Sequence, residues 1–338
     1  MLFERVNVEA LAYTLPPQVM TTAAIEAALS PLYQRLGIRP GWLEAITGIQ
    51  ERRFWEPGVA PSDAATLAAR AALDEARIAS SDVDVLVSSS VCRDFLEPSV
   101  ACLVHGNLRL KSACLNFDVG NACLGFMSAM SVVANLIEQG ACKVGMVVAG
   151  EGSRVVTEST LERLRRPEAN ASTYRDNLAT LTLGSAAVAM ILRRADDSRT
   201  GHRLRGGVFQ AATEHNRLCL GTETGMVTDP PKLLAEGVAL ARRTWDQSRV
   251  ELGWDHPQIA EYALHQVGKA NHEALIKNLS LPDAKALRVY TGLGNVGAAG
   301  VPITLALAVE QGRLRTGQTA ALMGIGSGLN VAMMRVDW

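Results

Sequence analysis

The chain alternates between a helical and an extended hydrophobic rhythm. Residues 63–77 carry Ala and Leu at helical spacing, with Ser62 or Asp63 placed to cap the start, and predict a helix. Apolar runs at 83–88, 115–119, 144–149 and 186–192 predict buried strands, with helical stretches at 98–108 and 123–139 between them. In the second half, residues 232–252, 271–279 and 302–311 have the helical period, while 262–265, 287–290, 319–323 and 330–336 read as strands. Each half thus runs helix, strand, helix, strand, helix, strand, strand. Strands alternating with helices imply parallel or mixed sheets covered by helices, and unbroken apolar strands imply sheets buried on both faces. The expected fold class is α/β, with two similar units, residues 1–192 and 193–338, packed in five layers. Two stretches break the rhythm. Residues 152–177, with charges, Thr and Pro167, are expected to form an excursion near an entrance, and the Arg- and Gly-rich residues 193–215 to link the halves.

Composition narrows the function classes. The 338 residues hold 33 Lys+Arg against 34 Asp+Glu, a net charge of -1, so no long-range field draws in a nucleic acid. With 48% hydrophobic residues the chain can bury a core, yet no stretch approaches the ~18 uncharged apolar residues of a membrane span. The opening Met-Leu-Phe-Glu-Arg puts charges where a signal peptide needs an apolar run, which points to a cytoplasmic protein. None of the six cysteines forms a CxxC pair, so a zinc site or redox dithiol has no local signature. His265 and His272 lack neighbouring ligands, and no metal is expected.

Three residues sit where chemistry is expected. Cys123 follows the strand at 115–119 and a Gly120-Asn121-Ala122 turn, and opens the helix at 123–139. A thiol at a helix N-terminus feels the positive end of the dipole, which lowers its pKa, and the free N–H groups there can cradle an oxyanion. Cys92, Cys102, Cys114, Cys142 and Cys219 read instead as small core residues. His265 ends the strand at 262–265, and carboxyl ends of parallel strands are where α/β sites form. Asn295 lies in Gly294-Asn295-Val296-Gly297-Ala298-Ala299-Gly300, the turn after residues 287–290. Taken alone, His265 is equally a core histidine and Asn295 a turn residue. Their convergence at strand exits favours a shared site.

The Asn-Ala-Cys-Leu-Gly-Phe, Leu-His-Gln and Gly-Asn-Val-Gly-Ala-Ala-Gly-Val-Pro segments, in that order and with Trp42 to Ile49 upstream, resemble the ketoacyl synthase III branch of the thiolase superfamily. The likeness spans essentially the whole chain and implies the five-layered αβαβα duplication, with Cys123, His265 and Asn295 as a Cys-His-Asn triad. Within the branch, Met-Leu-Phe at the start, Arg93-Asp94-Phe95-Leu96-Glu97-Pro98-Ser99 and Gly324-Ile325-Gly326-Ser327-Gly328-Leu329-Asn330 are most similar to OleA-type enzymes. The resemblance implies non-decarboxylative, head-to-head condensation of two fatty acyl-CoAs through an acyl-cysteine, with no further cofactor. It also implies a homodimer in which Glu97 serves the partner's site as the base that removes an α-proton. Burial in an apolar loop would raise the Glu97 pKa and make it a better base. The N–H groups of Cys123 and Ser327 would form the oxyanion hole. The glycine-rich 324–328 segment is a hairpin turn, because too few residues follow it for a dinucleotide-binding unit.

Several positions depart from the resembled pattern. Trp42 stands where the family stacks adenine, but the arginine expected four residues on is Ile46, and Gln266-Val267-Gly268-Lys269-Ala270 replaces the usual Gln-Ala-Asn-x-Arg. Lys269 and Arg217 are candidate CoA phosphate contacts, with solvated surface charge the alternative. Met127, Met130, Val132 and Leu136 suit either an acyl channel or plain core. Competing functions are decarboxylative ketoacyl synthesis from acyl-CoA and malonyl-carrier protein, acyl-thioester hydrolysis or transfer including a papain-like protease, and a non-catalytic acyl-binding partner. Downstream enzymes of a lipid pathway are the other expected partners.

Overall fold

The computed structural model describes residues 1–338. Its strands are β1 (Val6–Thr14), β2 (Gln18–Thr21), β3 (Glu51–Phe54), β4 (Val85–Ser88), β5 (Leu115–Asp118), β6 (Val144–Glu151), β7 (Ala186–Arg194), β8 (Arg203–Ala211), β9 (Cys219–Thr222), β10 (Gly225–Thr228), β11 (Ile259–Leu264), β12 (Thr319–Gly326) and β13 (Asn330–Asp337). Nine of them join in the order β11-β12-β13-β8-β1-β7-β6-β4-β5. The run β1-β7-β6 is antiparallel, β4 is parallel to β6 and β5, and β11 is parallel to β12. The two stretches of sheet meet only along β1 and β8, where Asn7 faces Arg203 and the Val8 N–H donates to the His202 carbonyl at 2.7 Å.

Period-2 alternation in the strands sorts their side chains into three apolar layers. In β7, Ala186, Val188, Met190 and Leu192 enter a central cluster, while Ala187, Ala189 and Ile191 enter an outer one. In β12, Ala320 and Leu322 join the same central cluster and Ala321 and Met323 a third, on the far side. The central cluster is filled by the helices Gly125–Glu138, packed on β1, β4, β6 and β7, and Gly300–Glu310, which contacts β1 and β7 as well as β11 and β12. Pro61–Ala76 and Val100–Leu108 cover the first outer face, and Pro230–Glu251 and Lys269–Leu279 the other. Helix, sheet, helix, sheet, helix is the five-layered arrangement that the hydrophobic rhythm predicts. No helix is long and apolar enough to cross a membrane.

Several local expectations need correction. Residues 193–215 are not a bare link: Arg193 and Arg194 end β7 and nine residues form β8, whose arginines point outward while Leu204 and Val208 are buried. Residues 152–177, expected as an excursion from the α/β rhythm, form the helices Arg154–Arg165 and Ala171–Asp176. Pro61–Ala76 begins before Ser62, and Asp63 caps it from inside by accepting the Ala60 N–H at 3.2 Å. The strand expected at 287–290 is absent. There the Gln266 Oε1 accepts the N–H of Val289 and Tyr290, its Nε2 donates to the Leu287 carbonyl, and the Leu287 N–H goes to Glu261 Oε1. Side chains therefore take the backbone groups that a ladder would have paired.

Candidate active site

The nucleophile turn is built by close backbone approach. Between β5 and the helix Gly125–Glu138, residues Ala122–Leu124 make one 3-10 turn, and Ala122 is held at φ +45°, a left-handed conformation that costs an alanine about 1 kcal/mol. The end of β12 packs directly against this turn. A Cβ on Gly326 would lie 2.8 Å from the Asn121 carbonyl oxygen, so glycine there lets β12 come this near, while one on Gly324 would lie 2.6 Å from the Met127 sulfur and displace that side chain. Asn121 then ties the turn to β13 and to its own helix, accepting from Asn330 Nδ2 at 3.2 Å and donating to Ser128 Oγ at 3.0 Å.

His265 lies one residue past β11. Its N–H continues the ladder to the Met323 carbonyl at 2.8 Å, which fixes the ring beside Gly300, where a Cβ would come within 3.3 Å of Nδ1. The ring is 4% exposed and Nδ1 has no hydrogen-bond partner. Burial holds its pKa down at about 4, so the imidazole is neutral at pH 7. Asn295 is pinned by backbone on both sides: its N–H donates to Thr182 O and its carbonyl accepts from Gly184 N, each at 2.8 Å. Its Oδ1 accepts the Gly297 N–H at 3.1 Å, which leaves the Nδ2 donors for the cavity it lines.

Cys123, His265, Asn295 and Ser327 line one cavity. Of its 25 lining residues 17 are hydrophobic, and it runs beneath the helix Pro230–Glu251, so it suits a long apolar chain ending at a reactive thiol. The thiol itself corrects an expectation. Burial, followed by the charge of Glu151 and the neighbouring Cys219, pushes Cys123 up to about 12, and the short turn ahead of the helix does not reverse this. Met127 and Met130 are central core, Leu136 packs against that core, and neither they nor Val132 line the cavity.

A family model for 3-oxoacyl-[acyl-carrier-protein] synthase III matches residues 117–206, and the model for its C-terminal part matches residues 250–338. An acyl-CoA:acyl-CoA alkyltransferase from Xanthomonas campestris is 42% identical over 338 residues, covering 100% of both chains. One of the same description from Shewanella oneidensis is 38% identical, again over 100% of both. The chain belongs to the ketoacyl synthase III branch of the thiolase-fold condensing enzymes. A beta-ketoacyl-[acyl-carrier-protein] synthase III from Neisseria meningitidis is more distant, at 27% identity over 88% of this chain and 90% of its own. The crystal structure of cerulenin-bound OleA from Xanthomonas campestris superposes with a TM-score of 0.98 at 42% identity, covering 100% of this chain and 98% of that one. A Cys-to-Ser variant of that OleA, crystallised with lauric acid and lauroyl-CoA, has a TM-score of 0.98 at 41% identity over 100% of both chains. Other structures of it carry single replacements of a glutamate or a histidine.

The remaining expected residues of this condensing enzyme lie apart from the cavity. Glu97 is exposed, on a loop where Phe95 and Leu96 are also 60% and 86% exposed, so it is not buried within its own chain and does not line its own cavity. Trp42, Lys269 and Arg217 are surface residues outside the cavity lining. Trp42 starts the helix Trp42–Thr47, which packs against the Lys269–Leu279 helix. Two cysteines read as core differ: Cys102 is exposed, and Cys219 lines the cavity and accepts a hydrogen bond from Ser327 Oγ at 3.2 Å.

Sequence reasoning missed Glu151. This carboxylate is 3% exposed at the end of β6; its Oε1 accepts from Val91 N at 3.0 Å and Ala298 N at 3.1 Å, and its Oε2 from Cys92 N at 3.4 Å. It joins the loop that leads to Glu97 with the turn that carries Asn295. Burial pushes its pKa up while the N–H donors from Val91 and Ala298 pull it back. The available signal was a lone acid closing the apolar run Val144–Gly150 at a strand's carboxyl end.

Proposed function

We propose that the chain condenses two fatty acyl-CoAs head to head, without decarboxylation, to a 2-alkyl-3-ketoacyl-CoA. The observation that carries this is the apolar cavity ending at Cys123, His265 and Asn295, in a chain similar over its whole length to acyl-CoA:acyl-CoA alkyltransferases. Neutral His265 takes the Cys123 proton as sulfur attacks the thioester carbonyl, CoA leaves as its thiol, and an acyl-cysteine remains. The α-carbon of a second acyl-CoA, having given a proton to Glu97, attacks that carbonyl and expels the Cys123 sulfur. Asn295 Nδ2 and the N–H groups of Cys123 and Ser327 hold the oxyanions.

Glu97 serves the partner subunit of a homodimer in this reading. Its exposure, with Phe95 and Leu96 beside it, suits a loop that enters another chain's cavity. In the Xanthomonas OleA structures, the replaced glutamate, cysteine and histidine have the same spacing along the chain as Glu97, Cys123 and His265, which supports the assignment. Trp42, Lys269 and Arg217 contact the CoA nucleotide, residues 1–192 and 193–338 are the two duplicated halves, and the enzyme works in cytoplasmic lipid biosynthesis.

Purified protein given myristoyl-CoA alone should release CoA and form a product whose mass combines two acyl chains. Product only after malonyl thioester is added establishes decarboxylative synthesis instead, and free myristate as the sole product establishes hydrolysis. Glu97→Ala should still acylate Cys123 yet lose condensation. Full condensation by that variant removes Glu97 from the mechanism.

A further inference from the structure

We propose that Gly237, opposed to Ile325, sets the length of the acyl chain that Cys123 can carry. This rests on the acyl-thioester reading above and adds the residue that limits substrate length. Gly237 lies inside the 22-residue helix Pro230–Glu251, a position where glycine is the poorest choice after proline. Its backbone is helical, so no left-handed conformation requires it. Close packing of backbone does not require it either: a Cβ there would meet a single atom, Ile325 Cδ1, at 2.9 Å. Both residues line the cavity. What the missing side chain provides is open space between helix and strand.

The position of that space follows from the chain path. Cys219 and Thr228 pair in the β9-β10 hairpin, Ser327 Oγ bonds Cys219, and Asp229 caps the helix, so the helix starts at the nucleophile's end of the cavity. Leu233 lies one turn before Gly237 and Ala241 one turn beyond, and all three line the cavity. Four helical residues rise about 6 Å. An extended chain advances roughly 1.2 Å per bond, so the reach past Gly237 holds about five carbons. A methyl at 237 forces Ile325 Cδ1 to turn, and an isopropyl group closes the passage.

The test is acylation of Cys123, followed by intact mass over time, with CoA esters from octanoyl to stearoyl on the full chain. The variants are Gly237→Ala, Gly237→Val and Gly237→Ala/Ile325→Ala. The palmitoyl-to-octanoyl rate ratio should fall at least tenfold in Gly237→Val and less in Gly237→Ala, and recover in the double variant. If wild type forms no adduct with any ester, the acyl-thioester reading fails and this proposal with it. If wild type does form adducts and folded Gly237→Val keeps the wild-type ratio, the length limit lies elsewhere and only this proposal fails. Should Gly237→Val not fold, Gly237→Ala decides, since alanine favours the helix; an unchanged ratio there overturns the proposal.

Discussion

Replacing His265 with asparagine should change how stability depends on pH, by an amount that follows from its burial. In the folded chain desolvation lowers the imidazole pKa from 6.5 to about 4, with no charged partner to offset it. The sign is fixed by where protons bind. Between these values the unfolded chain binds a proton that the native chain refuses, so the folded state loses ground as pH falls, and the His265 contribution is intact only above about pH 6.5. At about 1.4 kcal/mol per pH unit across that gap, the full loss is roughly 3 kcal/mol, of which about 2 kcal/mol falls between pH 7.5 and 5. Asparagine does not titrate and makes no such contribution.

Urea unfolding of wild type and His265→Asn at pH 7.5 and pH 5 measures this directly. Whatever the two differ by at pH 7.5, the difference should shift by about 2 kcal/mol in favour of the variant at pH 5. His202, His256 and His272 are also depressed by burial, but they remain in both proteins and cancel in the comparison. Parallel pH dependence in the two proteins would refute a buried, neutral His265, and with it the base proposed for Cys123.

Glu151→Gln removes the negative charge that, after burial, holds up the Cys123 pKa, so iodoacetamide should alkylate Cys123 faster in the variant than in wild type at pH 9; an equal rate would mean that Glu151 carries no charge there. Gln266→Ala strips hydrogen bonds from Leu287 O, Val289 N and Tyr290 N and should cost about 3 kcal/mol or more in urea, at roughly 1–3 kcal/mol for each buried group left unpaired. Proteolytic cleavage should then concentrate near residues 286–290. A loss under 1 kcal/mol would show that water replaces the side chain.

What could be read from the chain depended on whether a residue's setting is local. Cys123 was legible because strand, glycine turn and apolar helix are contiguous, although its pKa was not, since desolvation comes from walls that are distant in sequence. β1 is not legible in the sequence because Asn7 and Glu9 interrupt its apolar pattern; both are buried, Asn7 donating to Thr200 O and Glu9 accepting from Ser198 and Arg199. β8 has the composition of a linker, Arg-Leu-Arg-Gly-Gly, and is a strand because β13 and β1 flank it. Glu151 belongs to the same class, its partners coming from residues 91, 92 and 298.

The two perturbed pKa values bear jointly on when the nucleophile forms. With the Cys123 thiol pushed up to about 12 and the His265 imidazole held down at about 4, both groups lining the cavity are neutral at pH 7, not a thiolate and an imidazolium. Helix-dipole activation alone would have given a standing thiolate, open to any electrophile that reaches the cavity. Here the burial that suppresses ionisation is the same apolar wall that accepts an acyl chain, so the thiol cannot be activated by drying the site further. In the proposed mechanism activation comes from the thioester: with its carbonyl oxygen against the Asn295 amide and the turn N–H groups, proton transfer to His265 is coupled to formation of the C–S bond and no free thiolate need appear. Proton transfer concerted with acylation carries a solvent isotope effect, so single-turnover acyl-CoA cleavage should slow by about twofold or more in D2O. Acylation of a preformed thiolate would not, and equal rates of CoA release in H2O and D2O would restore the dipole-activated cysteine.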